Sequence, residues 1–342
     1  MTSPRYAAAG VDLDAAEAAK ARIGALVEST RTPLSTGAVG AFGGMVRIPA
    51  GMRRPVLVMS TDGVGTKVLV ALQAGRFDTV GEDLVNHSVN DILVHGAQPL
   101  AFTDYVAGHR LPVEMVAAIV EGVARGCRAH AMALAGGETA QMPGLYAAGT
   151  FDLAGTIVGV VDENEALHGD RVRPGDVLIA YASTGLHTNG YTLARRVLFD
   201  DLGLGIDSPL PGSDVTVGDA LLAVHRSYFA AIHPALDAVH ALAHITGGGI
   251  AGNLVRVLPP DCVAVIDPGS WTWPAVFTAI AREGEVSLAE MRDVFNLGVG
   301  MIAAVPPDSV DRVQGVALLA GVDTWRCGIV RAGSRDVVFE KG

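Results

Sequence analysis

The residues best equipped for chemistry lie in Ser60-Thr61-Asp62-Gly63-Val64-Gly65-Thr66-Lys67, between the apolar run Val56-Leu57-Val58-Met59 and the helix-like Val68-Leu69-Val70-Ala71-Leu72. A strand that delivers an Asp, two Gly and a Lys onto a tight turn suits a phosphate and its metal. The glycines let backbone N–H groups approach an anion, Lys67 is a point charge, and Asp62 is a hard oxygen ligand of the kind Mg²⁺ prefers. The spacing is not that of a Walker loop, because only Val64 separates Gly63 from Gly65 and Val68 follows the Lys. An ordinary strand-to-helix turn with a surface lysine reads the same way, so the rest of the chain has to decide.

Further chemical groups fall at comparable places. Gly37-Ala38-Val39-Gly40-Ala41-Phe42-Gly43-Gly44 is a second glycine-rich loop, able to wrap a phosphate or adenine or simply to be flexible. His87 and Asp91 are spaced i,i+4 beside Asn90, so they share one side of a helix and can point together at a ligand; capping or surface chemistry is the plainer alternative. Glu138 follows the apolar Met132-Ala133-Leu134-Ala135 and the pair Gly136-Gly137, a strand-to-loop junction of the type that carries ligand chemistry in α/β proteins. In the second half, Ser183-Thr184-Gly185-Leu186-His187-Thr188-Asn189-Gly190 opens a helix whose first N–H groups suit an anion. His187 there reads as a base, an acid, a phosphate contact or an inert loop histidine. His244-Ile245-Thr246-Gly247-Gly248-Gly249-Ile250 repeats the same strand, glycine and helix arrangement.

The elements that must position these groups follow from periodicity and breakers. Helices are expected at Asp12 to Thr30, Glu82 to Gly96, Pro112 to His130, Tyr191 to Phe199, Asp219 to His240 with a break near Pro234, Ala251 to Leu258, from Pro274, Ser287 to Val294 and Asp308 to Ala320. Strands are expected at Met45 to Ile48, Val56 to Met59, Met132 to Ala135, Phe151 to Val161, Val177 to Ala180, Val263 to Ile266, Gly298 to Val305 and Trp325 to Val330. The apolar pattern is interrupted from Asp162 to Asp176, a plausible domain boundary. The mixture predicts an α+β chain of two domains, which 342 residues are enough to fill.

Composition narrows the class. Half the residues are apolar, and 42 glycines against 17 prolines cluster in GG and GGG runs, which suits backbone-built ligand loops. A net charge of −11 without any Lys/Arg-rich run argues against nucleic-acid binding. Cys127, Cys262 and Cys327 lie far apart without metal spacing, which reads as reduced thiols in a cytoplasmic protein. Neither an apolar leader after Met1 nor an 18-residue apolar run is present, so secretion and membrane spanning are not expected.

Taken in order, Tyr6…Gly10-Val11-Asp12, Gly37…Phe42-Gly43, Thr61 to Lys67, Val89-Asn90-Asp91, Gly136-Gly137-Glu138-Thr139-Ala140, His187-Thr188-Asn189-Gly190, His244 to Gly249 and Phe295-Asn296-Leu297-Gly298-Val299-Gly300-Met301 resemble the phosphoribosylformylglycinamidine cyclo-ligase (aminoimidazole ribonucleotide synthetase) family of purine synthesis. The resemblance spans essentially the whole chain. It implies an N-terminal α/β domain over 1–166 that binds ATP and Mg²⁺ and whose sheet forms a barrel across a homodimer, and a C-terminal α+β substrate domain over 167–342. It implies ATP-dependent closure of formylglycinamidine ribonucleotide to aminoimidazole ribonucleotide, with small molecules as the ligands. By the same resemblance, Asp62 and Asp91 hold Mg²⁺, with Glu138 a ligand or neighbour. Gly40, Phe42, Gly43, Gly63, Gly65, Thr66 and Lys67 serve the nucleotide. His187, Thr188, Asn189 and Gly190 lie near the formyl end of the substrate, and Thr246, Gly247, Gly248 and Gly249 meet the ribose phosphate or ATP.

The chain departs from the family pattern at Gln141, where Glu is usual, at Leu186 in place of a common Pro, and at Val224-His225 in place of Pro-Thr ahead of Tyr228. Related ATP-using families are the alternatives. Selenophosphate synthetase would show a reactive Cys near the N-terminus, whereas the first here is Cys127; thiamine-monophosphate kinase carries paired aspartates where this chain has Thr61-Asp62-Gly63. A nucleotide-binding scaffold without chemistry is the alternative from another class.

Overall fold

The computed structural model describes residues 22–38 and 40–340, so the Tyr6 to Asp12 motif, most of the first expected helix and Val39 lie outside the described residues. The chain divides into two compact units. One comprises the described parts of Met1–Ile92 with Gln98–Asp162, the other those of Leu93–Ala97 with Glu163–Gly342. Among the described residues, no helix is long and apolar enough to cross a membrane.

In the first unit a short hairpin, β1 (Ser35–Thr36) and β2 (Met45–Val46), flanks the Gly37 to Gly44 loop. Next come β3 (Pro55–Gly63), α1 (Lys67–Ala74), α2 (Asp78–Leu93), β4 (Gln98–Gly108), α3 (Val113–Ala129), β5 (Ala133–Gln141) and β6 (Phe151–Asp162). The four long strands form a sheet in the order β3-β6-β4-β5, antiparallel except for β4 beside β5. Helices α2 and α3 meet through small residues: a Cβ on Gly122 would overlap the Asp78 carbonyl oxygen, so only glycine allows this approach. Alternation along β6 buries Phe151, Leu153, Ile157 and Val161.

Three expectations change here. β4 has no counterpart in the sequence reading, because Leu100, Phe102, Val106 and Ala107 are buried without a clean period of two and Pro99 disguises the strand start. β5 continues through Gly136-Gly137-Glu138-Thr139-Ala140-Gln141, which the glycines suggested was loop; register-matched pairing with Thr103 to Gly108 of β4 holds it extended. β3 runs on through Asp62 and Gly63, so Asp62 sits on a strand end and not in the turn itself.

The second unit contains β7 (Val177–Ala182), α4 (Tyr191–Arg195), β8 (Ala241–His244), α5 (Gly249–Leu254), β9 (Cys262–Ile266), α6 (Ala275–Glu283), α7 (Leu288–Val294), β10 (Val299–Val305), α8 (Val310–Leu319), β11 (Thr324–Ala332) and β12 (Asp336–Phe339). Its sheet has the order β12-β9-β11-β7-β10-β8. Every residue of β10 is buried, and its Val-Gly-Met-Ile-Ala-Ala-Val is continuously apolar, because both faces of the sheet are covered. Ile179, Tyr181, Met301 and Ala303 pack into one core with Tyr228, Ile232 and α8; Leu178, Ala180, Ile302 and Ala304 pack into the other with Ile250 and Leu254 of α5. The expected helix from Asp219 to His240 is instead two short turns, Val217–Leu221 and Phe229–Ile232, a 3₁₀ stretch His233–Ala238, and an irregular segment over 223–228 that carries the buried His225. β12 is a further strand absent from the sequence reading.

Candidate functional site

In the first unit the chemistry gathers where β3 ends against α2. His87 is almost completely buried, and its Nε2 lies 2.9 Å from Asp62 Oδ2 and 3.6 Å from Asp91 Oδ2. The Ser60 hydroxyl donates to Asp91 at 3.0 Å, and Asp62 Oδ1 accepts the Gly63 N–H. Helical spacing puts His87 and Asp91 on one side of α2, and the length of β3 brings Asp62 to them. Burial disfavours charge on His87, but the hydrogen bond to Asp62 and the carboxylates of Asp91, Asp62 and Asp83 outweigh it and raise its pKa above the ordinary histidine value. The Asp62 and Asp91 side chains remain 44% and 23% exposed, so both carboxylates reach solvent.

Lys67 is placed elsewhere than in an open turn. Its Nζ lies 2.7 Å from Asp83 Oδ2 with both side chains fully buried, so the ammonium ties the start of α1 to α2, two turns before Asp91. Desolvation lowers the Lys67 pKa, and Asp83 opposes that shift. Gly63, Gly65 and Thr66 lead from β3 into α1, with Gly65 in the left-handed region at φ 55°. Glu138 is exposed on β5, paired in register with Tyr105. Gly40, Phe42 and Gly43 sit at the hairpin tip, and the Phe42 ring is fully exposed.

In the second unit two loops come together at the ends of β7 and β8. His187 is buried at φ 62° and its Nε2 accepts the Thr184 N–H at 3.2 Å. Thr188 is buried beside it, and Gly190 precedes α4 in the left-handed conformation. The Thr246-Gly247-Gly248-Gly249 turn approaches closely enough that a Cβ on Gly247 would lie 3.4 Å from Asn189 Oδ1. Gly249, at φ 63°, cannot be replaced without strain, because a Cβ there would overlap the Arg292 carbonyl oxygen.

Several residues emerge only from the fold. Asn253 donates to the Gly249, Gly247 and Thr246 carbonyls at 2.8, 3.2 and 3.4 Å and so fixes the turn. Asn296 ties the other loop, donating to Gly185 and accepting from Ser183 and Gly298. Asn253 shows no spacing signal that sets it apart from a surface residue, and Asn296 entered the sequence reading only as a member of the Phe295 to Met301 motif. His225 and His244 join His187, with rings of His187 and His225 stacked at 3.9 Å and Nε2 of His225 and His244 3.3 Å apart. Sequence reading noted His225 only as a departure and His244 only as a motif member.

A two-unit α+β chain with carboxylates and glycine turns at its strand ends has the architecture of the AIR synthase related proteins. Residues 43–161 match that family's N-terminal domain and residues 173–341 its C-terminal domain. Among solved structures, a thiamine-monophosphate kinase from Stenotrophomonas maltophilia K279a superposes with a TM-score of 0.68 at 18% identity, covering 95% of each chain. The hydrogenase maturation protein HypE, solved in complex with ATP, gives 0.63 at 18%, covering 92% of this chain and 88% of that one. At such identity these two share the fold alone. The relatives are far nearer in sequence: phosphoribosylformylglycinamidine cyclo-ligases from Sorangium cellulosum (strain So ce56), 48% identical over 99% of this chain and 98% of theirs, and from Nitratidesulfovibrio vulgaris (strain DSM 19637 / Miyazaki F), 47% over 96% and 94%. The chain belongs to the phosphoribosylformylglycinamidine cyclo-ligase family, an enzyme family, and the kinase and scaffold readings fall away.

Proposed function

We propose that this enzyme uses ATP to close formylglycinamidine ribonucleotide to aminoimidazole ribonucleotide, releasing ADP and phosphate. An amide oxygen is a poor leaving group. Attack of that oxygen on the γ-phosphorus of ATP expels ADP and turns the oxygen into a phosphate leaving group; the amidine nitrogen of the same substrate then attacks the formyl carbon, and phosphate departs as the five-membered ring closes and the nitrogen gives up a proton. The protein's part is to align the reactants and match the developing charge, contributions on the order of 10⁵ M in effective concentration for well-oriented groups.

The observation that carries the nucleotide half of this reading is the convergence of Asp62 and Asp91 on one imidazole nitrogen. The spot sets hard, partly exposed carboxylate oxygens around one imidazole nitrogen, and such oxygens are the donor chemistry Mg²⁺ uses when it keeps several waters and substrate phosphates. Asp62 and Asp91 would hold Mg²⁺, with Glu138 a further ligand or neighbour, and the ion would supply neutralisation of phosphate charge. The hairpin tip would cover the nucleotide, with the exposed Phe42 ring offering a stacking face and Gly40 and Gly43 their backbone N–H groups. Lys67, held by Asp83, supports the Gly63, Gly65 and Thr66 turn from beneath. In the second unit His187, Thr188, Asn189 and Gly190 would orient the formyl end, and the Thr246 to Gly249 turn would receive the ribose phosphate.

The same reading includes a homodimer. Leu57 and Met59 on β3 are 47% and 66% exposed and point to the sheet face that the helices leave open, beside the exposed Thr61–Thr156 hydroxyl pair; a second copy of this sheet would cover them. Light scattering should give twice the chain mass, and Met59→Lys should reduce it.

The decisive assay incubates the protein with formylglycinamidine ribonucleotide, ATP and Mg²⁺ and measures ADP. Absence of ADP above the substrate-free control from folded protein would overturn the proposal. Asp62→Asn and Asp91→Asn should lose Mg²⁺-dependent turnover and keep the fold, whereas wild-type rates in either would remove the metal assignment. His187→Ala should lower kcat more than ATP affinity.

A further inference from the structure

We propose that His187, His225 and His244 form a binding site for a late first-row transition metal ion, Zn²⁺ foremost, distinct in ligand chemistry from the carboxylate pair of the first unit. The three side chains come from separate places: the loop before α4, the irregular segment over 223–228, and the last residue of β8. All are buried, and each offers a ring nitrogen within 4.8 Å of the other two.

The geometry is part-way to a tetrahedral centre. Two nitrogens on one tetrahedral Zn²⁺ at bonds of about 2.0–2.1 Å lie roughly 3.3–3.4 Å apart. His225 Nε2 and His244 Nε2 are already 3.3 Å apart. Thr188 Oγ1 lies 3.3 Å from His225 Nδ1; by accepting the Nδ1 proton it fixes the tautomer that leaves Nε2 as the ligand atom, the usual role of a partner behind a metal-bound histidine. His187 lies flat on His225, rings 22° from parallel, and joins as third ligand when its ring turns out of the stack and releases the Thr184 N–H. A fourth position is left for water.

Three neutral imidazoles select the metal. Nitrogen ligands favour Co²⁺, Ni²⁺, Cu²⁺ and Zn²⁺, while Mg²⁺ demands oxygen ligands in octahedral array, so the Mg²⁺ proposed for the carboxylate pair does not compete. His225 completes the trio from a segment that lies outside both polar loops. Because His187 and Thr188 belong to the proposed substrate loop, loading the site should slow turnover, giving the enzyme a brake set by free transition metal.

The test titrates the full-length protein, freed of metal by chelation, with Co²⁺ and follows the intense visible bands of tetrahedral coordination. Wild type should take up about one equivalent in that form, displaceable by Zn²⁺. His225→Thr and His225→Asn should each weaken uptake by more than about 100-fold, since even loss of a partner behind a ligand costs 10–100-fold. Circular dichroism on the metal-free variants checks folding. Zn²⁺ in the presence of excess Mg²⁺ should inhibit wild type but neither variant, each relative to its own rate without Zn²⁺. Wild type without tetrahedral bands at saturating Co²⁺ overturns the proposal whatever the variants do; so do bands of equal strength and affinity in either folded variant.

Discussion

Replacing Lys67 by Met removes one partner of an ion pair whose two side chains have no exposure and whose charged atoms lie 2.7 Å apart. Asp83 would then be left charged in the interior, or protonated against its preference. Breaking a buried pair from one side costs about 3–5 kcal/mol, whereas replacing both partners by apolar groups is often neutral or stabilising. Lys67→Met should therefore lower the melting temperature of the first unit on the order of 10 °C, and Lys67→Met with Asp83→Leu should recover most of it. Calorimetry, with each transition assigned by tryptophan-free probes in the first unit, reads the difference directly. Because the pair fixes the exit of the Asp62 turn against the helix carrying Asp91, the single variant should also need more Mg²⁺ for half-maximal turnover. The reasoning is refuted if Lys67→Met melts like wild type and instead raises the KM for ATP, since the lysine would then be a phosphate ligand and not a strut. A double variant no more stable than the single would refute it equally.

Other consequences follow from particular groups. His87 has a pKa raised above 6.5 in the folded chain, so its contribution is fully present below pH 6.5 and is lost as pH rises through the higher folded value; metal-free protein should lose stability over that interval, and His87→Asn should flatten the slope in pH-dependent melting. Burial pushes the Asp104 carboxyl from 3.8 up to about 7, so stability falls as pH rises from 3.8 to about 7, by up to about 4 kcal/mol, and stays reduced above it. Asp104→Asn should consequently raise the melting temperature at pH 8 and change little at pH 4. Asn253→Ala removes donors from three carbonyls of the Thr246 to Gly249 turn and should cost about 1–3 kcal/mol, with a rise in KM for the ribonucleotide exceeding that for ATP if the turn receives its phosphate.

Much of this was legible in order along the chain. The i,i+4 spacing of His87 and Asp91 correctly put them on one side of a helix, because helical neighbours are fixed by local geometry. The strand, glycine and helix pattern at Gly190 and at Gly248 was equally readable, since a left-handed residue before a helix leaves a glycine signature. The buried residues of β4, among them Pro99, Leu100, Phe102, Val106 and Ala107, show no clean period of two, and β4 passed unread for that reason. Where pairing overrides propensity, as in the glycine-bearing β5, local preference pointed the wrong way.

The sequence by itself determined the inventory and its order: an acidic residue following an apolar strand, two polar loops before helices, an α+β class and a family resemblance. Tertiary structure alone decided which of those groups meet. Nothing local distinguishes a lysine that faces a phosphate from one buried on Asp83, or sets His225 against residues 38 and 19 positions away. Such contacts depend on where the packing of distant elements places a side chain, and on whether burial leaves its charge or its ring nitrogen a partner.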